Sequence, residues 1–128
     1  MKLKVLPPTL RKNYHYLILD VKSEVELSKE DMLPICWDGC IRYWGENQSS
    51  NFDLWVMRHY LVSETIQNNE PIFNYKTVLR CGRSYCDDVR VALSTMKRQN
   101  RNKIAINTIG ISGTVKSGIN KFIEDIDE

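Results

Sequence analysis

At 128 residues, 42% of them apolar, the chain is long enough to fold as one domain around a single core. No apolar run approaches the roughly 20 residues that cross a bilayer, and "MKLKVLPPTL" has neither the apolar stretch nor the cleavage site of a secretory leader, so the sequence reads as cytoplasmic with no membrane partner. The net charge of +2 is unevenly placed. Lys76 to Lys103 holds eight Lys or Arg against two Asp or Glu, a local +6, whereas Asp20 to Glu70 holds four against ten, a local −6. A basic segment of this kind suits a polyanion, and the acidic one suits a different surface.

Residues 1–12 carry Lys2, Lys4, Arg11 and Lys12 around Pro7-Pro8. Tandem prolines fix an extended backbone, so these residues read as a basic arm preceding a single domain over 13–128. "NYHYLILDV" (13–21) is predicted as a strand, apolar on both faces and therefore central in its sheet. Ser28 and Asp31 form a capping box for a helix whose Leu33, Cys36, Trp37, Cys40, Ile41 and Trp44 repeat at helical spacing, and Gly45 ends it. Pro34 sits awkwardly inside this helix, which implies either a kinked first turn or a start near Leu33.

"GENQSSN" reads as loop. Phe52–Ser63 and Ile72–Cys81 read as strands, joined by "ETIQNNEP", a connection longer than a two-residue hairpin turn. Gly82 then breaks the strand, and Ser84 with Asp87 predicts the cap of a second helix running to "QNRNK". On that helix Arg90, Lys97 and Arg101 fall at i, i+7 and i+11, with Arg98 widening the stripe. "IAINTIGISGTV" (104–115) is the last predicted strand, and "SGINKFIEDIDE" closes the chain as a short helix with Ile119, Phe122, Ile123 and Ile126 on one face. The order is βαββαβ plus a C-terminal helix. This is an α+β, ferredoxin-like or RNA-recognition-motif-like sandwich, with both crossover helices on one sheet face.

No catalytic constellation emerges. His15 and His59 are both in predicted strands, and no nucleophile elbow, metalloprotease helix, phosphate loop or dinucleotide fingerprint is present. Cys36, Cys40, Cys81 and Cys86 have C-x3-C and C-x4-C spacings, without a C-x2-C knuckle, so they read as packing residues and not as metal ligands. Asp87-Asp88 complements a helix dipole better than it serves acid–base chemistry. Arg80, Arg83 and the helix start at Ser84 are better suited to a phosphate, since a helix N-terminus offers free amides and arginine binds phosphate oxygens in pairs. With the stripe of Arg90, Lys97, Arg98 and Arg101, and with Lys4 and Arg11 on the arm, nucleic acid is the favoured ligand. Tyr14 and Tyr16 are more simply core or interface residues than base-stacking platforms.

"LPPTLRKNYHYLILDV", "RCGRSYCDDVRVALSTMKRQN" and "INTIGISGTVKSG" together resemble the ribonuclease P protein component 2 family. The family pattern has a Pro-Pro-Thr-Leu-Arg arm (here Pro7 to Arg11), a turn into an acidic helix start (Tyr85 to Arg90) and a Gly-x-Ser-Gly-Thr segment (Gly110 to Thr114). His15 stands where the family has Arg, and Ser84 where Gly is common. The resemblance implies a protein subunit of the ribonucleoprotein that removes the 5′ leader of precursor tRNA. It also implies that the RNA subunit carries the chemistry and the Mg²⁺, so this chain needs no cofactor and no catalytic residue of its own. The implied partners are ribonuclease P RNA, ribonuclease P protein component 3 in a hetero-oligomer that extends to a dimer of heterodimers, and precursor tRNA through the holoenzyme. The alternative from another class is a metabolite-binding regulatory ferredoxin-like domain, because fold alone does not decide function.

Overall fold

The computed structural model describes residues 13–123. The predicted arm, with Lys4 and Arg11, and the end of the C-terminal helix, with Ile126, lie outside the described residues. In chain order the elements are β1 (Tyr14–Ser23), α1 (Lys29–Trp44), α2 (Glu46–Ser49), β2 (Trp55–Gln67), β3 (Glu70–Gly82), a 3-10 turn (Arg83–Tyr85), α3 (Cys86–Ser94), β4 (Arg98–Gln99), β5 (Asn102–Ser112) and α4 (Val115–Phe122). The strands form one antiparallel sheet in the order β2-β3-β1-β5-β4, and β1, apolar on both faces, lies at its centre as predicted. Apart from the two-residue β4, this is the ferredoxin-like βαββαβ sheet with an added C-terminal helix.

Each face of the sheet has its own core. Leu17, Leu19 and Val21 of β1, with Tyr75, Leu79 and Cys81 of β3, pack on Met32, Cys36 and Cys40 of α1 and on Val89, Ala92 and Leu93 of α3. Alternation along the strands sends Ile18 and Val78 to the opposite face, where α4 covers them with Ile123, Ile119 and Phe122. Each fully buried Leu or Ile here contributes about 1.5–3 kcal/mol. Two glycines let α4 approach closely. A Cβ on Gly118 would meet Ile18 Cδ1 at 2.7 Å, and one on Gly110 would fall inside the Phe122 ring contact. The Gly110–Thr114 motif is thus largely a docking device. Ser112 Oγ donates to the Thr114 carbonyl at 2.8 Å, and Thr114 Oγ1 caps α4 by accepting from Ser117 N at 3.1 Å.

The Ser28–Asp31 capping box is present at the start of α1. Bonds from the Ser28 backbone and hydroxyl hold the Asp31 carboxyl below the usual carboxylate range. Pro34 is accommodated inside α1, which begins at Lys29 and not near Leu33.

Four expectations are corrected. Part of "GENQSSN" is helical, as α2. The β2–β3 connection is a two-residue turn after all, with Gln67 paired to Glu70 and both Asn68 (φ 53) and Asn69 (φ 65) left-handed. Two adjacent positive φ values are the signature of a type I′ turn, and Asn tolerates them. Ser84 is not the cap of α3: it lies in the 3-10 turn, Tyr85 occupies the N-cap position, and no side chain caps the helix. Finally, α3 stops at Ser94 and does not continue to Arg101. Residues 98–103 instead form a tight β4–β5 hairpin turning at Asn100 (φ 51) and Arg101 (φ 72). At the end of α3, Thr95 Oγ1 donates to the Ala92 carbonyl at 2.7 Å, beside the Thr95 amide, which donates to the same carbonyl at 3.3 Å.

Candidate nucleic-acid interface

Ending α3 at Ser94 dissolves the predicted helical stripe. Of its four members only Arg90 is on the helix, exposed and paired with Asp87 at 3.3 Å. Such a pair contributes little. Among the described residues, the remaining predicted cations divide between two ends of the sheet.

At one end, where Tyr14 pairs with Gly82, Arg80 and Arg83 flank the start of β1. Arg80 is half-buried. Its guanidinium carbon lies 4.3 Å above the Tyr14 ring centroid, and its Nη2 donates to the Asp53 carbonyl at 3.4 Å. This arginine, on β3, holds the segment before β2 and the start of β1 through hydrogen-bond and cation–π contacts. Arg83 is exposed. Its backbone amide donates to the Asn13 carbonyl at 2.9 Å, and its side chain lines a shallow cavity of about 290 Å³ with Asn13, Asn51, Ser84 and Tyr85. The adjoining first turn of α3 contains Asp87 and Asp88, so the positive helix end is already complemented by this chain's own acids.

At the other end, where Ser23 pairs with Ile104, the β4–β5 hairpin concentrates Lys97, Arg98, Arg101 and Lys103, all exposed. Side chains of α1 anchor this hairpin. Gln99, 8% exposed, donates to Asp38 Oδ2 at 2.7 Å and accepts from Arg42 Nη2 at 2.6 Å, while Arg42 Nη1 donates to the Arg98 carbonyl at 3.1 Å. A second anchor joins it to β1, since Glu24 Oε1 accepts from the Lys103 amide. The four cations are therefore presented on a tethered turn, whose backbone needs little further ordering on binding.

Sequence reasoning did not single out Gln99, Asp38, Arg42, Lys22 or Lys103. The asparagines of the two turns, Asn68, Asn69 and Asn100, were a local signal for the hairpins because Asn tolerates left-handed backbone, whereas the anchor from α1 had none. Tyr14 and Tyr16 behave as expected: Tyr14 supports Arg80, and Tyr16 packs into the cluster beneath α4.

The remaining ionisable groups serve the fold. His59 Nε2 lies 2.9 Å from the Leu27 carbonyl and Nδ1 2.8 Å from Thr77 Oγ1, and the ring stacks on Tyr75. A carbonyl only accepts, so Nε2 carries the proton and Nδ1 accepts from the buried Thr77 hydroxyl. Burial lowers the His59 pKa, partly offset by the Leu27 carbonyl, Asp31 and Glu30. All four cysteines are buried core residues, as predicted. Burial pushes the Cys40 thiol up to about 12, and Cys81 is raised by its hydrogen bond to Cys86, 2.9 Å away, and by burial.

The model of the Rpp14/Pop5 family matches residues 13–123. A protein of Methanobrevibacter smithii named "Ribonuclease P protein component 2" is 51% identical over 97% of this chain and 99% of its own length. Proteins of the same name from Methanothermobacter thermautotrophicus and Pyrococcus abyssi are 35% and 30% identical, each over at least 94% of both chains. The chain belongs to the Rpp14/Pop5 family.

Proposed function

We propose that this member of the Rpp14/Pop5 family is a protein subunit of ribonuclease P, the ribonucleoprotein that removes the 5′ leader from precursor tRNA. The observation that carries this reading is the 51% identity, over essentially both whole chains, to a protein named ribonuclease P protein component 2. The relatives are named as ribonuclease P components and not as metabolite regulators, and the alternative reading falls away. In this proposal the RNA subunit performs the chemistry and holds the Mg²⁺, and the chain contributes no catalytic residue. In support, the described groups best suited to chemistry are committed to structure: His59 bridges Leu27 and Thr77, Asp31 caps α1, and the cysteines are core.

RNA is contacted by the exposed cations Arg83, Lys97, Arg98, Arg101 and Lys103, with Lys4 and Arg11 adding charge from the N-terminal segment and Arg80 positioning its neighbours. Ser84 and Arg90 are secondary members of this set. A second protein subunit, component 3, docks elsewhere. The acidic stretch 20–70 exposes Tyr43 and Trp55, residue types that favour protein interfaces, with Leu61, and this supports a protein partner there. In this proposal the chain works as a hetero-oligomer, up to a dimer of heterodimers, in the cytoplasm.

The test is reconstitution of precursor tRNA cleavage from the RNA subunit and the full protein set, with and without this chain. The expected result is that omission lowers the cleavage rate and that the chain alone with Mg²⁺ cleaves nothing. Unchanged cleavage without the chain, or cleavage by the chain alone, overturns the proposal.

A further inference from the structure

The sheet is longer on one side than in the middle. β1 ends at Ser23, opposite Phe73, but the β2–β3 ribbon continues past it to the Asn68-Asn69 turn. The overhanging ribbon forms one wall of a cleft of about 750 Å³, and Met96 and Lys97, which lead into the β4–β5 hairpin, form the other with Arg98. The ends of β1 and β5, with Lys22, Glu24, Lys103 and Ala105, form its floor. Two of its parts differ chemically. Lys22, Lys97, Arg98 and Lys103 are exposed cations on the floor and one wall, against a single carboxylate, Glu24, which is already bonded to the Lys103 amide. The facing ribbon wall carries no charge: it offers Thr65, Ile66, Gln67, Ile72 and Asn74. Ile66 is 73% exposed, a large apolar side chain left uncovered beside carboxamides.

From this the geometry points to a site for an unpaired RNA strand, one or two nucleotides of which enter the cleft. The inference rests on the ribonuclease P reading above and specifies the form of RNA recognised. A duplex presents a ridge of phosphates with its base edges turned inward, and a basic surface alone suffices for it. A concave site with cations on one side and an apolar, amide-bearing wall on the other matches an unstacked nucleotide, with phosphate toward Lys97 and Arg98 and base toward Ile66, Gln67 and Asn74. The volume lies within the range of sites that enclose small organic groups. The sheet face itself is not open to bases over Ile18 and Val78, because α4 covers it, so an unpaired strand finds its apolar contact at the ribbon.

The test compares a fluorescein-labelled single-stranded decauridylate with a ten-base-pair RNA duplex, binding the full chain at several salt concentrations. Replacing Lys97 and Arg98 together with alanine lowers affinity for both probes, and for the single strand it shallows the logarithmic salt slope by about 1.4, at roughly 0.7 per phosphate. Replacing Ile66 and Gln67 with alanine weakens the single strand about fivefold or more, leaves the duplex within twofold and leaves both salt slopes unchanged. Both positions are exposed, so folding is preserved, and circular dichroism checks it. A 4-thiouridine version of the probe crosslinks to the ribbon or to residues 96–98.

If the Ile66/Gln67 variant binds the single strand as tightly as the parent, the cleft is not a nucleotide site. Equal competition by hexaglutamate at matched charge makes it a general anion dock, and the inference fails as well. Either failure leaves the ribonuclease P reading standing, because that reading is decided by reconstitution with the RNA subunit.

Discussion

Replacing Gly110 with alanine probes the seat of α4. The added Cβ would fall within the Phe122 ring contact, so either the ring or the helix must move. Undocking the helix would uncover Ile18, Val78 and Ile123, each at most 2% exposed and each stabilising by about 1.5–3 kcal/mol. Shifting the ring is cheaper, and overpacking of this kind costs about 1–3 kcal/mol. Alanine regains roughly 0.5–1 kcal/mol of the entropic penalty that glycine carries in a strand, which leaves a net loss of about 0.5–2 kcal/mol. With a urea slope of about 1–3 kcal/mol/M, the midpoint of unfolding falls by several tenths of a molar unit or more. The decisive comparison is a double-mutant cycle with Phe122→Ala. Once the ring is gone the Gly110→Ala change meets no obstacle, so the pair should cost no more than Phe122→Ala alone, a coupling equal to the overpacking itself, about 1–3 kcal/mol. Additive costs would show that Phe122 is not what requires glycine here.

Gln99→Ala removes the link between Asp38 and Arg42, two hydrogen bonds to charged groups. It should cost about 1.5–3 kcal/mol in urea unfolding and weaken RNA binding, whereas Asp38→Asn, which keeps an acceptor, should cost less than half of that. His59 is half-buried with a lowered pKa, so the unfolded chain binds the extra proton first. Stability should therefore be full above pH 6.5 and decline as pH falls below it, and a His59→Gln variant should show a flatter profile between pH 7.5 and 5.5. Arg80→Ala should lower the melting temperature through loss of the Tyr14 stack, whereas Arg83→Ala and Ser84→Ala should stay within about 0.5 kcal/mol of the parent, since neither side chain caps or packs.

Much of the fold was legible because it is written in short-range pattern. β1 has apolar residues on both faces and proved central. The Ser28–Asp31 pair signalled the capping box that opens α1, although Pro34 left a start near Leu33 open, and α4 was readable from Ile119, Phe122 and Ile123. What failed were places where two patterns overlap. The run from Tyr85 to Arg101 keeps helical spacing of cations throughout, but periodicity in charged residues carries no packing energy and did not extend the helix past Ser94. Ser84 satisfied the cap signature by composition, yet the 3-10 turn from Arg83 to Tyr85 moved the N-cap on by one residue, to Tyr85. For the candidate site, the residue types were legible and their arrangement was not. The basic segment was recognised, but its division between two ends of the sheet depends on where α3 ends. The Asp38–Gln99–Arg42 anchor joins residues about 60 positions apart, which no local pattern reveals.

Arg101 offers a sharper test of what the hairpin is for. It sits at φ 72, in the left-handed region, at the second position of a turn where glycine would be at ease. A side chain there costs about 1–2 kcal/mol, only partly offset by the larger unfolded-state entropy of glycine. Its backbone carbonyl accepts from Arg98 Nη1 at 3.4 Å, a contact any residue could supply, so the fold does not need the guanidinium. A residue that is locally unfavourable and structurally dispensable is best explained by what its side chain binds. Arg101→Gly should thus raise the urea midpoint, by an amount equivalent to about 0.5–1 kcal/mol, while weakening ribonuclease P RNA and shallowing its salt slope by up to about one unit. Arg101→Lys, which keeps both the strain and the charge, should retain most of the affinity with no gain in stability. If the glycine variant is more stable and binds RNA as tightly as the parent, the cation at the turn has no role in recognition, and the charge that matters lies with Lys97, Arg98 and Lys103.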